Sequence, residues 1–347
     1  MPMVRNTSLS FSAPSAFSWR ENAVFLDPGG LLYHESGSFR RSVLGQSVLP
    51  ISKSLQKEWN PFSEIRLHTP MEALDAFRIA YILIHPMGTK QGWPLLLQVA
   101  CQRLLQAMIL HLCYKEERIP RFPDLLALCH SVWKHVDAGL QAIGTTAHIS
   151  KQEFQASDPF GLTYPSVETQ DLRIYSRLFR KDIQDTLDLR HAIQGVFPEA
   201  IDWERLDLPF WKLLVHPVVR ENIAFIQSLP KAKQRQVLVL TELSLRPFQH
   251  LSSYVSSGFS IRSFFQPDSP ASLYMVRSGG WGAFSQVFFH LLFCYALTES
   301  NEVALPPLLL TAPDKHATLR LPSFAAALAH HRVVYQPYDL SSYSRKE

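Results

Sequence analysis

Strand-like runs occur at the two ends of this chain, with helical patterns between them, and this distribution constrains the fold most strongly. Near the amino end, Ala23 to Leu26 (AVFL) is a short apolar run closed by Asp27-Pro28-Gly29-Gly30, the pattern of a buried strand that ends in a tight turn. Continuously apolar strands are typical of parallel sheets. A second candidate strand lies within Ser42 to Ile51. We therefore expect the amino end to contribute strands to a parallel sheet.

Strand-like runs return towards the carboxyl end. They are Ser272 to Arg277, Pro307 to Thr311 and Arg332 to Gln336, and the apolar helix Ala283 to Thr298 separates the first two. An alternation of strands and helices predicts an α/β fold.

The middle of the chain carries helical patterns. Thr69-Pro70-Met71-Glu72 matches a helix start with a capping box, and this helix should run to Ile84. Further helices are predicted over Trp93 to Tyr114, Asp124 to Leu140, Gln170 to His191, Trp203 to His216 and Val218 to Ser228. We expect residues 1–66 and 231–347 to form one α/β domain, interrupted by an all-helical domain at residues 67–230.

Composition narrows the class of protein without naming a function. The chain has 347 residues, 46% of them hydrophobic and 18% charged, which excludes a disordered or collagen-like protein. The net charge of +4 is too small to predict a nucleic-acid partner by itself. The four cysteines, Cys101, Cys113, Cys129 and Cys294, lie in apolar helical patterns without a CxxC pair, so we expect reduced core thiols and a cytoplasmic protein.

One segment has the length of a membrane span. Trp93 to Tyr114 is apolar, but Gln98, Gln102 and Gln106 recur every four residues and give it a polar stripe. We expect a buried amphipathic helix and no membrane span. The amino end lacks the continuous apolar block of a secretory signal.

Familiar catalytic motifs are missing from the sequence. It contains no Gly-Lys dipeptide, which a phosphate-binding loop requires, and neither G-x-S-x-G nor H-E-x-x-H. A strand that holds magnesium would be an apolar run that ends in aspartate. Two runs invite this interpretation, Val237 to Leu240 and Leu308 to Leu310, but neither matches the pattern well. A buried strand or helix is the better interpretation of both. The basic residues Lys231, Lys233 and Arg235 could contact phosphates, although the start of a solvated helix is the simpler interpretation.

The order of several short segments resembles one known family. The segments are Pro14 to Trp19 (PSAFSW), Ala23 to Gly30 (AVFLDPGG), Gly37 to Arg41 (GSFRR), Leu44 to Val48 (LGQSV), Trp59 to Arg66 (WNPFSEIR), Asp75 to Ala80 (DAFRIA), Trp93 to Tyr114, His216 to Val219 (HPVV), Phe259 to Arg262 (FSIR) and Asp268 to Tyr274 (DSPASLY). In order and spacing they resemble the TraG-type coupling proteins of type IV secretion. The resemblance covers nearly the whole chain and implies a RecA-like, P-loop NTPase-like sheet interrupted by an all-alpha domain.

Members of that family are hexameric inner-membrane ATPases, and this sequence departs from them at the nucleotide site. Thr7 and Ser8 stand where the family has its Walker A lysine and threonine. Asp27 and Gly30 are kept from a D-x-K-G-E turn, whereas Gly29 and Leu31 replace its lysine and glutamate. Pro313 stands at the magnesium aspartate, Asp314 at the catalytic glutamate, and Gln336 matches a sensor glutamine after a gap. The resemblance thus implies a degenerate site with no catalytic residue, no metal and no cofactor.

We expect a noncatalytic homologue, a pseudo-ATPase, that serves as partner or as cargo and adaptor recognition component of a type IV secretion or conjugation system. It would dock on an intact coupling ATPase, in the cytoplasm or peripherally at the inner membrane. Three alternatives stay open. One is an NTPase with an unusual or subunit-shared site, and another is a folded gene product without a function. The third is a DNA-binding module that uses Arg40, Arg41, Lys231, Lys233 and Arg235 on phosphates.

Overall fold

The structure is a computed structural model, and its sheet joins the two ends of the chain. It describes residues 19–27, 30–51, 59–69, 71–85, 92–116, 118–149, 215–249, 260–265, 270–276, 282–302, 308–313, 319 and 321–338. The strands are β1 (Ala23–Leu26), β2 (Ser47–Ile51), β3 (Ala271–Met275), β4 (Leu308–Pro313) and β5 (Val333–Tyr338). They form one five-stranded sheet in the order β2-β3-β1-β4-β5, and every pairing is parallel.

Strand β1 lies at the centre of this sheet. Its Ala23 is in register with Ser272 of β3 on one side and with Leu309 of β4 on the other. Residues from the amino end are therefore paired with residues more than two hundred and forty positions later, and the predicted α/β fold with a parallel sheet is confirmed. The second candidate strand begins only at Ser47, because residues up to Ser42 belong to the preceding helix.

Nine helices occur among the described residues. They are α1 (Leu31–Ser42), α2 (Glu72–Ile84), α3 (Leu95–Lys115), α4 (Phe122–Lys134), α5 (Val136–Thr145), α6 (Pro217–Ser228), α7 (Lys231–Leu245), α8 (Gly282–Glu302) and α9 (Pro322–Ala329). Short 3₁₀ turns lie at Pro61–Glu64, Arg246–Phe248 and Arg262–Phe265. The predicted helices at 170–191 and 203–214 lie outside the described residues.

Two helix predictions need correction. The single helix expected over Asp124 to Leu140 is two helices, since His135 has φ −141° and ψ 75°, a backbone conformation outside the helical region. The run Val237 to Leu240 lies inside α7, where Val237 and Leu238 are buried, which agrees with its interpretation as a buried strand or helix. Helix α2 ends at Ile84, as predicted, but it begins at Glu72 with Met71 as its N-cap, whereas the prediction placed the cap at Thr69.

The two faces of the sheet are covered differently. On one face, α1 packs over Phe25, Tyr274 and Leu309, and the rings of Phe25 and Tyr274 stack with centroids 4.5 Å apart. On the other face, residues such as Leu273 and Leu310 join a large continuous core with helices α2 to α9. Helix α7 packs on α3 and α4, so helical packing extends past residue 230. A separate inserted domain, with the boundaries given above, stays a prediction.

Helix α3 is the central helix of that core. Among the described residues it alone is long and apolar enough to cross a membrane, but 78% of its most apolar window is buried inside the protein. Its glutamines are buried as well, and Gln106 donates to the Ala73 carbonyl at 2.9 Å and accepts from the Asn222 amide at 2.9 Å. The helix is therefore buried as predicted, with its polar stripe turned inward. All four cysteines are free and buried, as predicted.

Candidate functional site

The carboxyl edge of the sheet is where a parallel α/β fold binds its ligands, since all strands end there and the loops that follow can surround a crevice. Asp27 directly follows β1, and Gly30 follows three residues later. Gln336, in β5, is in register with Thr311 of β4, which is in register with Phe25 of β1. The structure thus aligns three predicted nucleotide-site residues along one edge. Thr7, Ser8 and Asp314 lie outside the described residues.

The side chain of Asp27 accepts a hydrogen bond from the first turn of helix α1. Its carboxylate Oδ2 accepts a hydrogen bond from the Tyr33 backbone N–H at 2.8 Å, and its side chain is buried. Its own N–H donates to the Met275 carbonyl at 3.1 Å, which continues the pairing with β3. A carboxylate at this position satisfies an N–H group that the first turn of a helix leaves free, and its charge complements the positive end of the helix dipole.

Gly30 has a backbone conformation that favours glycine. Its φ is +75°, and a Cβ placed there would lie 3.1 Å from Val276 Cγ1. Its N–H donates to the Asp27 carbonyl at 3.1 Å, which closes the turn between β1 and α1. Asp27 and Gly30 therefore have a structural use that does not require a nucleotide.

Among the described residues, the β4 and β5 side of the edge offers few ligands for a cation. β4 ends at Pro313, where the resemblance places the magnesium aspartate. Thr311 Oγ1 is buried without a hydrogen-bond partner among the described residues, and Gln336 is half-buried. Magnesium prefers carboxylate and phosphate oxygens in octahedral geometry. A hydroxyl, an amide and a carboxylate already bonded to α1 do not fit a magnesium nucleotide.

The position of Arg40 does not allow the phosphate contact that the sequence suggested. It was predicted as a phosphate contact, but it is fully buried at the opposite, amino edge of the sheet, where its Nε donates to Ser272 Oγ at 2.6 Å. Ser272 Oγ in turn donates to Gln46 Oε1 at 2.7 Å. Burial lowers the pKa of the Arg40 guanidinium. The side chain ties α1 to β3 and is closed to nucleic acid.

The remaining basic residues lie on surfaces. Arg41 is exposed at the end of α1, while Lys231, Lys233 and Arg235 occupy the first turns of α7. Lys231 pairs with Asp137 at the start of α5, and Lys233 Nζ lies 3.4 Å from Gln236 Oε1. The paired Lys231 fits the simpler interpretation of a solvated helix start.

A cluster of buried charges was missed by sequence reasoning. We name it the motif cluster, and it consists of Glu64, Arg66, Asp75, Arg78 and Arg262. Glu64 accepts from the Trp59 indole at 2.8 Å, from Ser260 Oγ at 2.6 Å and from the Ile261 backbone N–H at 2.7 Å. One carboxylate therefore fixes the segment before α2 to the segment after α7.

Asp75 is the second centre of the motif cluster. Its two oxygens accept from Arg66 at 2.8 Å and 3.0 Å, and Oδ1 also accepts from Arg262 at 3.2 Å. Arg78, one turn along α2, lies 3.5 Å from Oδ1. The Arg262 guanidinium also lies 4.6 Å from the centre of the Tyr295 ring on α8. Three arginines thus surround one fully buried carboxylate.

The motif cluster gathers residues of three segments that the sequence had singled out, WNPFSEIR, DAFRIA and FSIR. Partners from the first and third of these segments lie about two hundred positions apart, as for Glu64 and Ile261, so spacing alone gave no signal of the contact.

Part of the chain is similar in sequence to known proteins. Residues 7–123 match the family model described as Type IV secretory system Conjugative DNA transfer. Two curated relatives, each a conjugal transfer protein TraG from Escherichia coli, are 33% identical to the chain over 107 residues. The predicted resemblance to TraG-type coupling proteins is confirmed over this region. The alignment covers 29% of this chain and 16% of each relative, so the chain spans a small part of the TraG proteins that it matches.

The region that matches the family model contains residues of the carboxyl edge and residues of the motif cluster. Asp27 and Gly30 lie within residues 7–123, as do Glu64, Arg66 and Asp75. Arg262 lies beyond the matched region and completes the motif cluster from the far side of the chain.

Proposed function

We propose that this chain is a noncatalytic TraG-type component of a type IV secretion or conjugation system, which recognises a partner or a cargo adaptor and does not hydrolyse ATP. The observation that carries the proposal is the composition of the carboxyl edge. Asp27 is bonded to helix α1, and β4 ends in Pro313 where the resemblance places a magnesium ligand. Phosphoryl transfer depends on positioned cations and carboxylates, so their loss removes the main source of catalysis.

The framework around this edge supports retention of a binding function. The five described strands form one continuous sheet, and the motif cluster joins the segment before α2 and the segment after α7 to helix α2 through hydrogen-bonded charges. A buried charge cluster is stable only when its geometry is maintained. The resemblance assigns the helical part to recognition of substrate and adaptor, and we extend that role to this chain.

Capture of an intact TraG-type ATPase tests the proposal. The tagged full chain is incubated with the purified ATPase of the same system at low and at high salt, and the complex is quantified by size-exclusion chromatography. We expect a stable complex and no ATP hydrolysis by the chain alone. Failure to form a complex at every salt concentration would contradict the partner role, and turnover by the chain alone would contradict the noncatalytic role.

Substitution of two exposed side chains would locate the interface with the ATPase. Trp133, on helix α4, is 46% exposed, and Val43, at the end of α1, is 64% exposed. If the helical part carries the interface, Trp133→Ala should weaken the complex whereas Val43→Ala leaves it unchanged. The reverse pattern would place the interface on the sheet layer instead.

DNA binding is less well supported. Arg40 is buried and Lys231 is paired with Asp137, so two of the five predicted phosphate contacts have other partners.

A further inference from the structure

Three buried histidines and a buried glutamate form a continuous chain of contacts, and they are His111, His148, His216 and Glu72. The backbone N–H of His216 donates to Nδ1 of His148 at 2.9 Å, and Nε2 of His148 lies 3.0 Å from Nδ1 of His111 on α3. On the other side, His216 Nε2 lies 2.6 Å from Glu72 Oε1. The exposed fractions of these four residues are 7% or less. We name this chain of hydrogen bonds the histidine latch.

The latch fixes the protons on two of its rings. A backbone N–H can only donate, so Nδ1 of His148 must accept and carries no proton. Nε2 of a neutral His148 therefore carries the proton and donates to Nδ1 of His111. If His148 took up a second proton, an N–H on Nδ1 would face the N–H of His216 and the hydrogen bond would be lost.

Among the described residues, few charged groups near the latch could compensate a protonated His148 or His111. Glu72 is the carboxylate from α2, and it accepts from Tyr114 at 2.6 Å and from the His68 backbone N–H at 2.8 Å as well as from His216. The other groups that interact with latch members are Lys115 and Cys113 on α3 and Glu221 on α6. Lys115 is a cation and opposes protonation of His111, while the interaction of Glu221 is with His216.

We propose that the histidine latch is a proton-sensitive contact, which holds residues 148 and 216 against helices α2 and α3 and which opens when His111 and His148 become protonated.

The sign of the pH effect follows from burial. Burial lowers the pKa of His148 to about 2 and that of His111 to about 4 in the closed latch. When the latch opens, both rings reach water and their pKa values return to about 6.5. The open form therefore binds more protons than the closed form at any pH below about 6.5, and acid favours opening.

Amide hydrogen exchange of the full chain measures this opening. Exchange in peptides covering residues 145–149 and 215–219 is followed at pH 7.5 and pH 5.5 and corrected for the intrinsic rate. With two histidines taking up protons, we expect the opening constant to rise about 100-fold over this interval, and about 10-fold if only one does. Peptides from β1 and β3 serve as an internal control, because the latch does not touch them.

Substitution separates the latch from general acid sensitivity. His148→Asn places an amide oxygen near the position of Nδ1, so it can still accept from His216 but cannot titrate, and the pH response should fall to about 10-fold. His130→Asn changes an exposed histidine and should leave the full response. If His148→Asn does not fold, His111→Gln gives the same test with the same expected reduction. An unchanged 100-fold response in the variants, or no response in the unaltered chain, would overturn the proposal.

Discussion

The carboxyl edge of the sheet and the motif cluster differ in how they use family residues. At the edge, Asp27 and Gly30 persist, and both serve the turn into α1. In the motif cluster, Glu64 and Asp75 accept hydrogen bonds from five neighbouring side chains and backbone groups within 3.2 Å, and all of these bonds except the one from Trp59 join separate segments. Asp27, Gly30, Glu64 and Asp75 therefore each have a use in the fold.

This contrast distinguishes residues that stabilise the fold from residues that would act on a nucleotide. A coupling-protein framework needs its buried ions whether or not ATP is hydrolysed, because a buried charge without its partner destabilises the protein strongly. In our proposal, the cations and carboxylates that would act on a nucleotide have no such structural role and can be replaced without loss of the fold.

The largest effect should come from the centre of the motif cluster. Asp75→Ala leaves buried Arg78 without this carboxylate, and we expect the free energy of unfolding to fall by about 3–5 kcal/mol. Urea unfolding followed by circular dichroism measures it. Glu242→Ala is the matched control, since Glu242 pairs with the exposed Arg246 and should change stability by less than about 1 kcal/mol. Equal effects at both positions would break the comparison.

A smaller loss is expected at Glu64. Glu64→Gln keeps the shape but replaces Oε2 by an amide that can only donate, so Ser260 Oγ loses its charged acceptor while Trp59 and Ile261 keep an oxygen acceptor. We expect a loss of about 1–3 kcal/mol in the free energy of unfolding. Glu116→Gln, at an exposed position paired with Arg118, should be near neutral by the same urea titration. A neutral Glu64→Gln would mean that this carboxylate does not hold the two segments together.

Two glycines test whether the turn between β1 and α1 is closely packed. Gly30 and Gly45 have similar φ values, +75° and +68°, but a Cβ would meet Val276 only at Gly30. Gly45→Ala should destabilise the protein by about 1 kcal/mol through backbone strain, and Gly30→Ala by about 2 kcal/mol because a steric contact is added. Melting temperatures of the two variants measure the difference. A larger loss at Gly45 would contradict the close packing of this turn.

The smallest effect is expected at Asp27. Asp27→Ala removes the side-chain acceptor of the α1 amino end, and such a loss destabilises a protein by about 1 kcal/mol. Thermal unfolding in the presence and absence of magnesium ATP should show this loss equally under both conditions. A loss seen only with nucleotide present would assign Asp27 a ligand instead of a helix.

The fold was largely predictable from local patterns, whereas the contacts that hold it together were not. The run AVFL before DPGG predicted β1 because continuous apolarity and a glycine turn are local properties. Helix α2 was predicted to its last residue, yet its Glu72 accepts from the backbone of His68 instead of completing a box with Thr69. The break at His135 escaped prediction, since the apolar period continues through it while the backbone does not.

The candidate site was predictable only where the resemblance supplied positions. It placed Asp27, Gly30 and Gln336, and the structure aligns them along one edge of the sheet. It did not foresee that Arg40 would be buried against Ser272, because arginine in a helical pattern usually lies in solvent. The pairing of Glu64 with Ile261 depends on tertiary structure and leaves no trace in spacing.

Calorimetric titration of magnesium ATP into the purified full chain tests the central claim most directly, since the claim is that this TraG-like framework has lost its nucleotide site. We predict no heat of binding and no rise in melting temperature at millimolar ATP. Binding with a micromolar Kd, with the matching thermal stabilisation, would contradict the account and would require a nucleotide site built from other residues.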